Sequence, residues 1–263
     1  MSEAYWIKKM EDKPNFKLGQ NFLLDTNISR KITKLVQGQL ADPIVEIGPG
    51  TGSLTNELLK DNYRIKAIEI DKNLAAITEE RFTEVPNIEV INQDAMEYDY
   101  SQLTGPWWIL VSNLPYYIGT RLLVKLITEV PVIHRYVVMV QKEVAERITA
   151  QPGTKEYGAL SVVCSLFATP KHQFDVSKHC FSPVPKITSS VITLQRETLF
   201  DEEDRLEAFR LSKIAFQQKR KKVKSALQDF FSVEELEQLG INPDDRPQNL
   251  SPEQYLELAK SLN

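Results

Sequence analysis

The chain has 263 residues, of which 42% are hydrophobic and 26% charged, and its formal net charge is −4. This length is enough for one large and one small globular domain, and two cysteines exclude a disulfide framework or a cysteine metal site. No apolar run is long enough to span a membrane, and the N-terminal segment lacks the apolar core of a signal peptide, so we expect a cytoplasmic protein.

The first predicted strand leads into a glycine-rich turn. The apolar run from Ile44 to Ile47 is followed by Gly48, Gly50 and Gly52, after which a helical pattern of leucines begins. Glycine lets the backbone approach a ligand closely, and the start of a helix offers free N–H groups. The turn is therefore typical of a nucleotide-type cofactor site.

The next two predicted strands end in acidic residues. The strand from Arg64 to Ile70 carries Glu69 at its end, and the strand from Ile88 to Asn92 is followed by Asp94. An acid at the end of the second strand can hold a ribose diol, and Asp94 can accept from an adenine amino group. Because ligands of open α/β sheets bind at the carboxyl edge, we expect both acids at one site.

The fourth predicted strand, Trp107 to Val111, leads into the tetrapeptide Asn113-Leu114-Pro115-Tyr116. The Asn113 amide and a backbone carbonyl of the Leu114–Pro115 step offer two acceptors, which suits the two N–H donors of an exocyclic amino group. The Tyr116 ring offers a stacking face for a planar base. Taken alone, the tetrapeptide is equally consistent with a simple turn, since Asn and Pro are common turn residues.

An NAD-binding fold is the nearest competing interpretation. Its glycine spacing is Gly-x-Gly-x-x-Gly, whereas the spacing here is Gly-x-Gly-x-Gly, and neither Asp94 nor the Asn113 turn belongs to the dinucleotide pattern. The combination therefore favours S-adenosylmethionine over NAD. The alternative that Glu69 and Asp94 are solvated loop acids stays open.

The remaining predicted strands complete a predominantly parallel, doubly wound sheet. They are Tyr136 to Val140, His172 to Val176 and Ser190 to Gln195, and the last two flank a loop that contains Phe181. We expect this first domain to end at about residue 196.

From residue 197 to 263 the hydrophobic periodicity is helical only, which predicts a small all-α domain. Its predicted core comprises Leu206, Phe209, Ile214, Val223, Leu227, Leu236, Leu239, Tyr255 and Leu258. A dense basic run would lie on one helix face and suits contact with phosphates, although a solvated helix face is the usual fate of such runs. The run comprises Lys219, Arg220, Lys221, Lys222 and Lys224.

The order and spacing of these motifs resemble the ribosomal RNA adenine dimethyltransferases, and among them the small-subunit branch. The resemblance covers nearly the whole chain and includes Leu18–Leu23, Glu46–Thr55, Glu69–Asp71, Asp94–Ala95, Asn113–Tyr117, Gln141–Arg147, Tyr157–Val162 and Cys180–Lys186. It implies a class I S-adenosylmethionine-dependent methyltransferase (Rossmann-like) domain over residues 1–196 and an RNA-binding helical domain over residues 197–263.

The resemblance also implies the roles of individual residues. The cofactor-binding residues are Asn21, the backbone at Leu23, Gly48 at the amino-acid end, Glu69 at the ribose, Asp94 at the adenine, and Asn113. The catalytic residues are Asn113 and the Leu114 segment as acceptors for the target amine, with Tyr116 and Phe181 holding the flipped adenine. A core-filling role for Phe181 is the alternative.

The activity implied by the resemblance is N6,N6-dimethylation of two adjacent adenosines near the 3′ end of small-subunit rRNA during ribosome biogenesis. The implied partners are the small ribosomal subunit and its rRNA. The residues themselves predict no metal site and no membrane span, and a monomer is the default expectation. Three alternatives stay open, namely methylation of large-subunit rRNA that confers macrolide resistance, a ribosome-assembly checkpoint that acts mainly by binding, and methylation of DNA adenine.

Overall fold

The computed structural model describes residues 3–9, 21–36, 42–105, 107–197 and 201–262. The chain divides into two compact units, the first formed by Met1–Ala145 with Lys171–Leu194 and the second by Glu146–Pro170 with Gln195–Asn263. The division near residue 195 lies close to the boundary expected from the sequence. The segment 146–170 differs, because the sequence assigns it to the first domain and the structure to the second unit.

The strands run in chain order as β1 (Phe22–Leu23), β2 (Ile44–Ile47), β3 (Ile65–Glu69), β4 (Ile88–Asn92), β5 (Trp108–Asn113), β6 (Ile133–Gln141), β7 (Ala168–Val176), β8 (Phe181–Ser182) and β9 (Ser189–Arg196). Seven of them form one sheet in the order β4-β3-β2-β5-β6-β9-β7. The pairs β2–β3, β2–β5, β3–β4 and β5–β6 are parallel, as the doubly wound prediction requires.

The helices are α1 (Glu3–Lys8), α2 (Thr26–Thr33), α3 (Ser53–Lys60), α4 (Lys72–Arg81), α5 (Gly119–Glu129), α6 (Lys142–Ile148), α7 (Ala159–Phe167), α8 (Glu202–Gln217), α9 (Val223–Ala226), α10 (Val233–Gln238) and α11 (Pro252–Lys260). The helices α3, α4 and α5 each follow a strand of the parallel sheet. These helices return the chain to the starting edge of the sheet between β2 and β3, β3 and β4, and β5 and β6, whereas a short 3₁₀ helix (Tyr100–Gln102) lies between β4 and β5.

The central strands form because both of their faces are buried. All four residues of β2 and the first five of β5 are buried, which explains their continuous apolar runs. Ile44 pairs with both Ile65 and Ile109, so the three strands are in register and end together. Their carboxyl ends consequently bring the glycine-rich turn, Glu69 and Asn113 to one edge of the sheet.

A two-stranded antiparallel ribbon of β1 and β8 joins the N-terminal segment to the loop after β7. Leu23 pairs with Phe181 and Phe22 with Ser182. Leu23 and Phe181 are both buried in the hydrophobic core of the first unit. The ribbon therefore fixes the position of the neighbouring Asn21, whereas Leu18–Gln20 of the same sequence motif lie outside the described residues.

Gly52, which precedes α3, holds a backbone conformation that other residues rarely adopt. Its φ is +85°, and a Cβ at this position would lie 2.6 Å from a ring carbon of Phe82. We expect Gly52→Ala to lower the free energy of unfolding by about 2–4 kcal/mol, because a left-handed backbone and a steric overlap both act against alanine. Urea denaturation measures this change.

Gly153 provides a matched control for Gly52. Its φ is +83°, nearly the same, but an added Cβ would meet no atom within 4 Å. Gly153→Ala is expected to cost only the backbone contribution of about 1–2 kcal/mol. Equal losses of unfolding free energy in the two variants would mean that the Phe82 ring adds no steric cost at position 52.

The second unit is built around α7, α8 and α11, which pack on one another. This packing explains why 146–170 belongs here, since it contains α7 and one face of α7 needs α8 and α11 to bury it. Of the predicted core, Val223, Leu227, Leu236, Tyr255 and Leu258 are buried.

Leu206 was wrongly predicted to lie in the core, since it is exposed. The neighbouring Arg205 is buried instead. Its guanidinium donates to the Glu197 carbonyl at 2.9 Å and lies over the Phe167 ring at 4.6 Å. The buried face of α8 therefore lies one position away from the face that the hydrophobic periodicity predicts.

The basic run does not lie along a helix, contrary to the sequence prediction. The helix α8 ends at Gln217, residues 218–221 form a turn and a bend, and α9 begins at Val223, so Lys224 alone of the run is helical. Lys222 and Lys224 both contact the carboxylate of Asp244. The cations are thus gathered at a bend of the chain, with the apolar Val223 turned into the core.

Candidate active site

An open cavity of about 780 Å³ lies at the carboxyl edge of the sheet, and we call it the main cavity. Its walls come from the segment of β1, the glycine-rich turn, the end of β3 and the turn after β5. The predicted site residues that line it are Asn21, Leu23, Gly48, Glu69, Asn113, Leu114 and Tyr116.

Glu69 presents a buried carboxyl group to the main cavity. Its two oxygens accept hydrogen bonds from the backbone N–H of Gly50 at 3.1 Å and of Asp71 at 3.0 Å. Burial raises the pKa of Glu69 to about 7, although these two N–H groups act in the opposite direction. The carboxyl group is therefore held in one orientation, and its remaining lone pairs can accept from a diol.

Glu46 is a second buried carboxyl group on the main cavity, and no role was assigned to it from the sequence. The Thr55 hydroxyl donates to it at 2.7 Å. Burial raises its pKa to about 8, and the nearby Glu69 adds a smaller upward contribution. The sign of Glu46 in the sequence is that it is an acidic residue within an otherwise apolar strand. Two such groups suit a ligand with positive charge, which favours their ionised forms.

The raised pKa of Glu46 predicts how stability depends on pH. Between 4.5 and about 8 the native protein holds a proton that the unfolded chain has lost, so the free energy of unfolding falls as pH rises through that window. Glu46→Gln is expected to flatten this dependence and to raise the melting temperature above pH 8. The exposed Glu84→Gln is the control, and equal pH profiles for both variants would contradict the prediction.

Asn113 supplies an unoccupied acceptor at the main cavity. Its Nδ2 donates to the Asn21 carbonyl at 3.2 Å, which fixes the amide plane. Its Oδ1 is buried and has no hydrogen-bond partner among the described residues. A buried acceptor without a partner costs about 1–3 kcal/mol, so a ligand that donates a hydrogen bond there is favoured.

Tyr116 is held rigidly beside Asn113. Its hydroxyl and that of Ser189 lie 2.6 Å apart and share a hydrogen bond, and burial raises the pKa of Tyr116. The following residue, Tyr117, also lines the main cavity but is exposed. The fixed ring of Tyr116 therefore gives a planar surface next to the free Asn113 acceptor.

Two predicted site residues do not line the main cavity. Asp94 lies just beyond β4, where its Oδ1 accepts from the Met96 N–H at 2.8 Å. Phe181 is only 1% exposed, because β8 pairs with β1 and directs this ring into the hydrophobic core. The structure thus places Phe181 in the core, and the roles at the cofactor adenine and at the target base stay predictions.

A model of the ribosomal RNA adenine dimethylase family matches residues 11–263. The chain belongs to this family. Ribosomal RNA small subunit methyltransferase A of Chlamydia caviae is 39% identical, with 98% of this chain and 95% of that protein covered. The protein of the same name from Staphylococcus haemolyticus is 38% identical, with coverages of 93% and 89%.

Two solved structures are also similar over most of the chain. A dimethyladenosine transferase from Plasmodium falciparum has a TM-score of 0.78 at 27% identity, with 91% of this chain and 96% of that chain covered. The 23S rRNA methyltransferase ErmE has a TM-score of 0.73 at 27% identity, with coverages of 92% and 99%.

Membership of the adenine dimethylase family confirms three predictions, namely the class I methyltransferase fold, an rRNA adenine dimethyltransferase activity and S-adenosylmethionine as methyl donor. The residues present fit this donor, because the main cavity combines a diol acceptor at Glu69 with carboxyl groups that favour a cation. The small-subunit branch is favoured over the large-subunit alternative by the names of the curated relatives.

Two further observations concern the described residues of this dimethylase. None of their helices is long and apolar enough to cross a bilayer. They contain no group of three or more His, Cys, Asp or Glu side chains with an arrangement that could hold a metal ion.

Proposed function

We propose that this protein methylates the N6 amines of two adjacent adenosines near the 3′ end of small-subunit rRNA, with Asn113 and Tyr116 as the residues that hold each target base. The observation that carries the proposal is the buried Asn113 Oδ1, which has no partner among the described residues. An exocyclic amine is the donor that fits this acceptor, and an adenine ring fits the adjacent face of Tyr116.

The two acceptors at this turn prepare the amine for transfer. S-adenosylmethionine supplies an electrophilic methyl carbon on a sulfonium. Asn113 Oδ1 and a carbonyl of the Leu114–Pro115 step accept the two amine hydrogens, which favours a pyramidal nitrogen with its lone pair free. This interaction strengthens as the transition state forms, so it raises the rate rather than only the affinity. No strong base is needed, because the product ammonium is acidic and loses its proton to water.

The cofactor rests on backbone and carboxyl groups of the main cavity. Glu69 accepts from the ribose hydroxyls, while Gly48 lets the backbone approach the amino-acid end and Asn21 and Leu23 close the rim. Gly48 has φ +66°, a backbone conformation that other residues rarely adopt, although a Cβ there would meet Pro115 only at an ordinary contact distance of 3.6 Å. Asp94, at the next strand end, is the residue that we propose for the cofactor adenine.

The target adenosine has to leave its helix to reach Asn113, as in other enzymes that modify bases. Stacking on Tyr116 offsets this cost by about 1–3 kcal/mol. Phe181 can stack on the base only if its ring leaves the core, so Tyr116 carries the stacking in this proposal. The partners are the small ribosomal subunit and its rRNA, and the protein acts in the cytoplasm as a monomer.

The basic run at the bend after α8 is proposed to contact rRNA phosphates. Lys219, Arg220 and Lys221 are exposed, and they form no ion pair with another of the described residues, unlike Lys222 and Lys224. Replacing all three with Gln is expected to weaken binding to small-subunit particles and to reduce the salt slope of log affinity by about 2. Filter binding between 50 and 200 mM salt measures both effects.

The control for the basic run is Lys155, Lys213 and Lys260, all exposed in the same unit, replaced with Gln together. This variant loses the same charge and is expected to keep most of the salt slope. Cofactor affinity is expected to be unchanged in both triple variants. If both lose affinity equally, net charge rather than the bend determines RNA binding.

The decisive experiment measures transfer of labelled methyl groups to small-subunit particles that lack the modification, beside large-subunit rRNA and duplex DNA. Label on adjacent adenosines of the small-subunit rRNA alone supports the proposal. Label only on large-subunit rRNA or on DNA overturns it. Cofactor binding without transfer to any substrate would instead favour an assembly factor that acts by binding.

A further inference from the structure

The last turn of α4 contacts the glycine-rich turn and binds two of its carbonyl groups. The Thr78 hydroxyl donates to the Gly50 carbonyl at 2.8 Å, and the guanidinium of Arg81 donates to the Thr51 carbonyl at 2.5 Å. The N–H of Gly50 donates to the Glu69 carboxyl group at 3.1 Å. The glycine-rich turn is therefore fixed from two directions, by α4 and by an acid of the main cavity.

Arg81, the last residue of α4, is itself held by two aromatic rings. Its guanidinium carbon lies 5.5 Å from the ring centre of Trp6 and 5.2 Å from that of Phe82. Both rings are buried, and Arg81 is half-buried. A planar guanidinium contacts aromatic faces while its edge donates hydrogen bonds. The donor to the Thr51 carbonyl is therefore in position before any ligand binds.

The contacts with α4 also determine how the peptide groups of the glycine-rich turn are oriented. A trans peptide group directs its N–H opposite to its carbonyl. Because the Gly50 carbonyl accepts from Thr78, the N–H of Thr51 points away from that side chain, and Thr51 lines the main cavity. If the turn lost its contact with Arg81, a ligand would have to restore this orientation when it binds, which lowers its affinity.

We propose that Arg81 is a positioning residue for S-adenosylmethionine, which acts through the Thr51 carbonyl to hold the glycine-rich turn in its binding conformation. Arg81 does not line the main cavity, so its effect on the cofactor is transmitted by the turn. The inference rests on S-adenosylmethionine as the methyl donor and is independent of which adenosines are methylated.

The charge of Arg81 also acts on Glu46, a buried acid of the main cavity. Burial raises the pKa of Glu46, the Thr55 hydroxyl lowers it, Glu69 raises it and Arg81 lowers it. The charged groups that act on Glu46 are thus Glu69 of β3 and Arg81 of α4. Removal of the Arg81 charge is therefore expected to raise the pKa of Glu46 further, an effect that a merely structural side chain would not have.

Two substitutions separate the charge of Arg81 from its hydrogen bond. Arg81→Met removes both, whereas Arg81→Lys keeps the charge and one donor but loses the planar group. Isothermal titration calorimetry with S-adenosylmethionine, without rRNA, is expected to give a dissociation constant about tenfold higher for Arg81→Met at pH 7. Arg81→Lys is expected to stay within about threefold of wild type. The uncharged Arg81→Gln replaces Arg81→Met if that variant does not fold.

A pH series of the protein without cofactor gives a second readout. The free energy of unfolding is expected to fall with rising pH up to the pKa of Glu46, which is about 8. In Arg81→Met this fall is expected to continue above pH 8, because Glu46 keeps its proton to a higher pH. Arg81→Lys is expected to keep the wild-type profile. The pH at which cofactor affinity stops rising is expected to move upward in Arg81→Met but not in Arg81→Lys.

Arg64→Met is the matched control, because Arg64 is exposed directly before β3 and its replacement removes the same charge. It is expected to keep the wild-type affinity and pH profile. Wild-type affinity in Arg81→Met overturns the inference, and so does an equal loss in Arg64→Met. A loss of affinity in Arg81→Met with a wild-type pH profile also overturns it. The proposed function fails in a different way, because the wild-type protein itself then puts no methyl group on small-subunit rRNA.

Discussion

Replacement of Asn113 with alanine is expected to lower the rate of methyl transfer by about 10²–10³-fold, the loss typical of removing one transition-state hydrogen-bond partner. The side chain provides the only acceptor known to be buried and unpartnered at the main cavity among the described residues. Without it, one amine hydrogen has no partner and the lone pair stays delocalised into the ring. Single-turnover transfer at saturating S-adenosylmethionine measures the effect.

Asn92→Ala is a suitable comparison for Asn113→Ala. Asn92 also lies at a strand end and donates its amide N–H to backbone carbonyls, at Glu69 and Ile70, but it does not line the main cavity. We expect its loss to affect stability more than transfer at saturating cofactor. Asn113→Ala should keep much of its cofactor affinity by calorimetry. Full turnover by this variant would remove Asn113 from the reaction.

Replacement of Glu69 with alanine is expected to weaken cofactor binding by about 10²-fold, because hydrogen bonds to an ionised acceptor contribute about 1.5–3 kcal/mol each. Two backbone N–H groups already orient this carboxyl group, so its side chain loses little conformational entropy when a diol binds. Isothermal titration calorimetry measures the dissociation constant directly. Unchanged affinity would remove Glu69 from the ribose.

The pH dependence of cofactor binding shows whether binding needs the negative charge of Glu69 or only a side chain of its size. Its pKa of about 7 means that the free protein holds a proton at pH 6 and has lost it at pH 8. A cationic ligand with hydroxyl donors favours the ionised form, so affinity is expected to rise with pH across this window, by at most tenfold per unit for one proton. Glu69→Gln should lose most of this slope.

The contribution of Glu46 to the same slope has to be separated, since its pKa is also raised, to about 8. Glu46→Gln is expected to keep the rise in affinity between pH 6 and 7 and to lose the further rise between pH 7 and 8, because above pH 8 the wild-type carboxyl group is already ionised in the free protein. The double variant should show a nearly flat profile. A flat profile for wild-type protein would mean that neither carboxyl group ionises when the cofactor binds.

The sheet could be predicted from the sequence because its central strands are buried on both faces. A strand such as β2, with all four residues buried, reads as an uninterrupted apolar run, and the polar residues that follow it mark the strand end. Gly48, Glu69 and Asn113 were found for this reason. Parallel pairing then dictates that these strand ends meet, which is a property of topology rather than of any side-chain contact.

Other features depend on contacts that no local pattern contains. Phe181 is a core residue because β8 pairs with β1, and an isolated Phe in a loop gives no sign of that partner. The segment 146–170 joins the second unit because α7 packs on α8, a helix far along the chain. Glu46 is marked in the sequence only as an acid within an apolar strand, and no local pattern shows that it lines a cavity close to Glu69.

The ribbon of β1 and β8 also determines when the site can form during synthesis. Leu23 cannot pair until Phe181 has been made, and the intervening chain takes on the order of ten seconds to translate at about 5–20 residues per second. During that time the carbonyl of Asn21 has no fixed position from which to orient the Asn113 amide. The growing chain is therefore expected to gain its methyl-transfer site late, after the loop beyond β7 has left the translating ribosome.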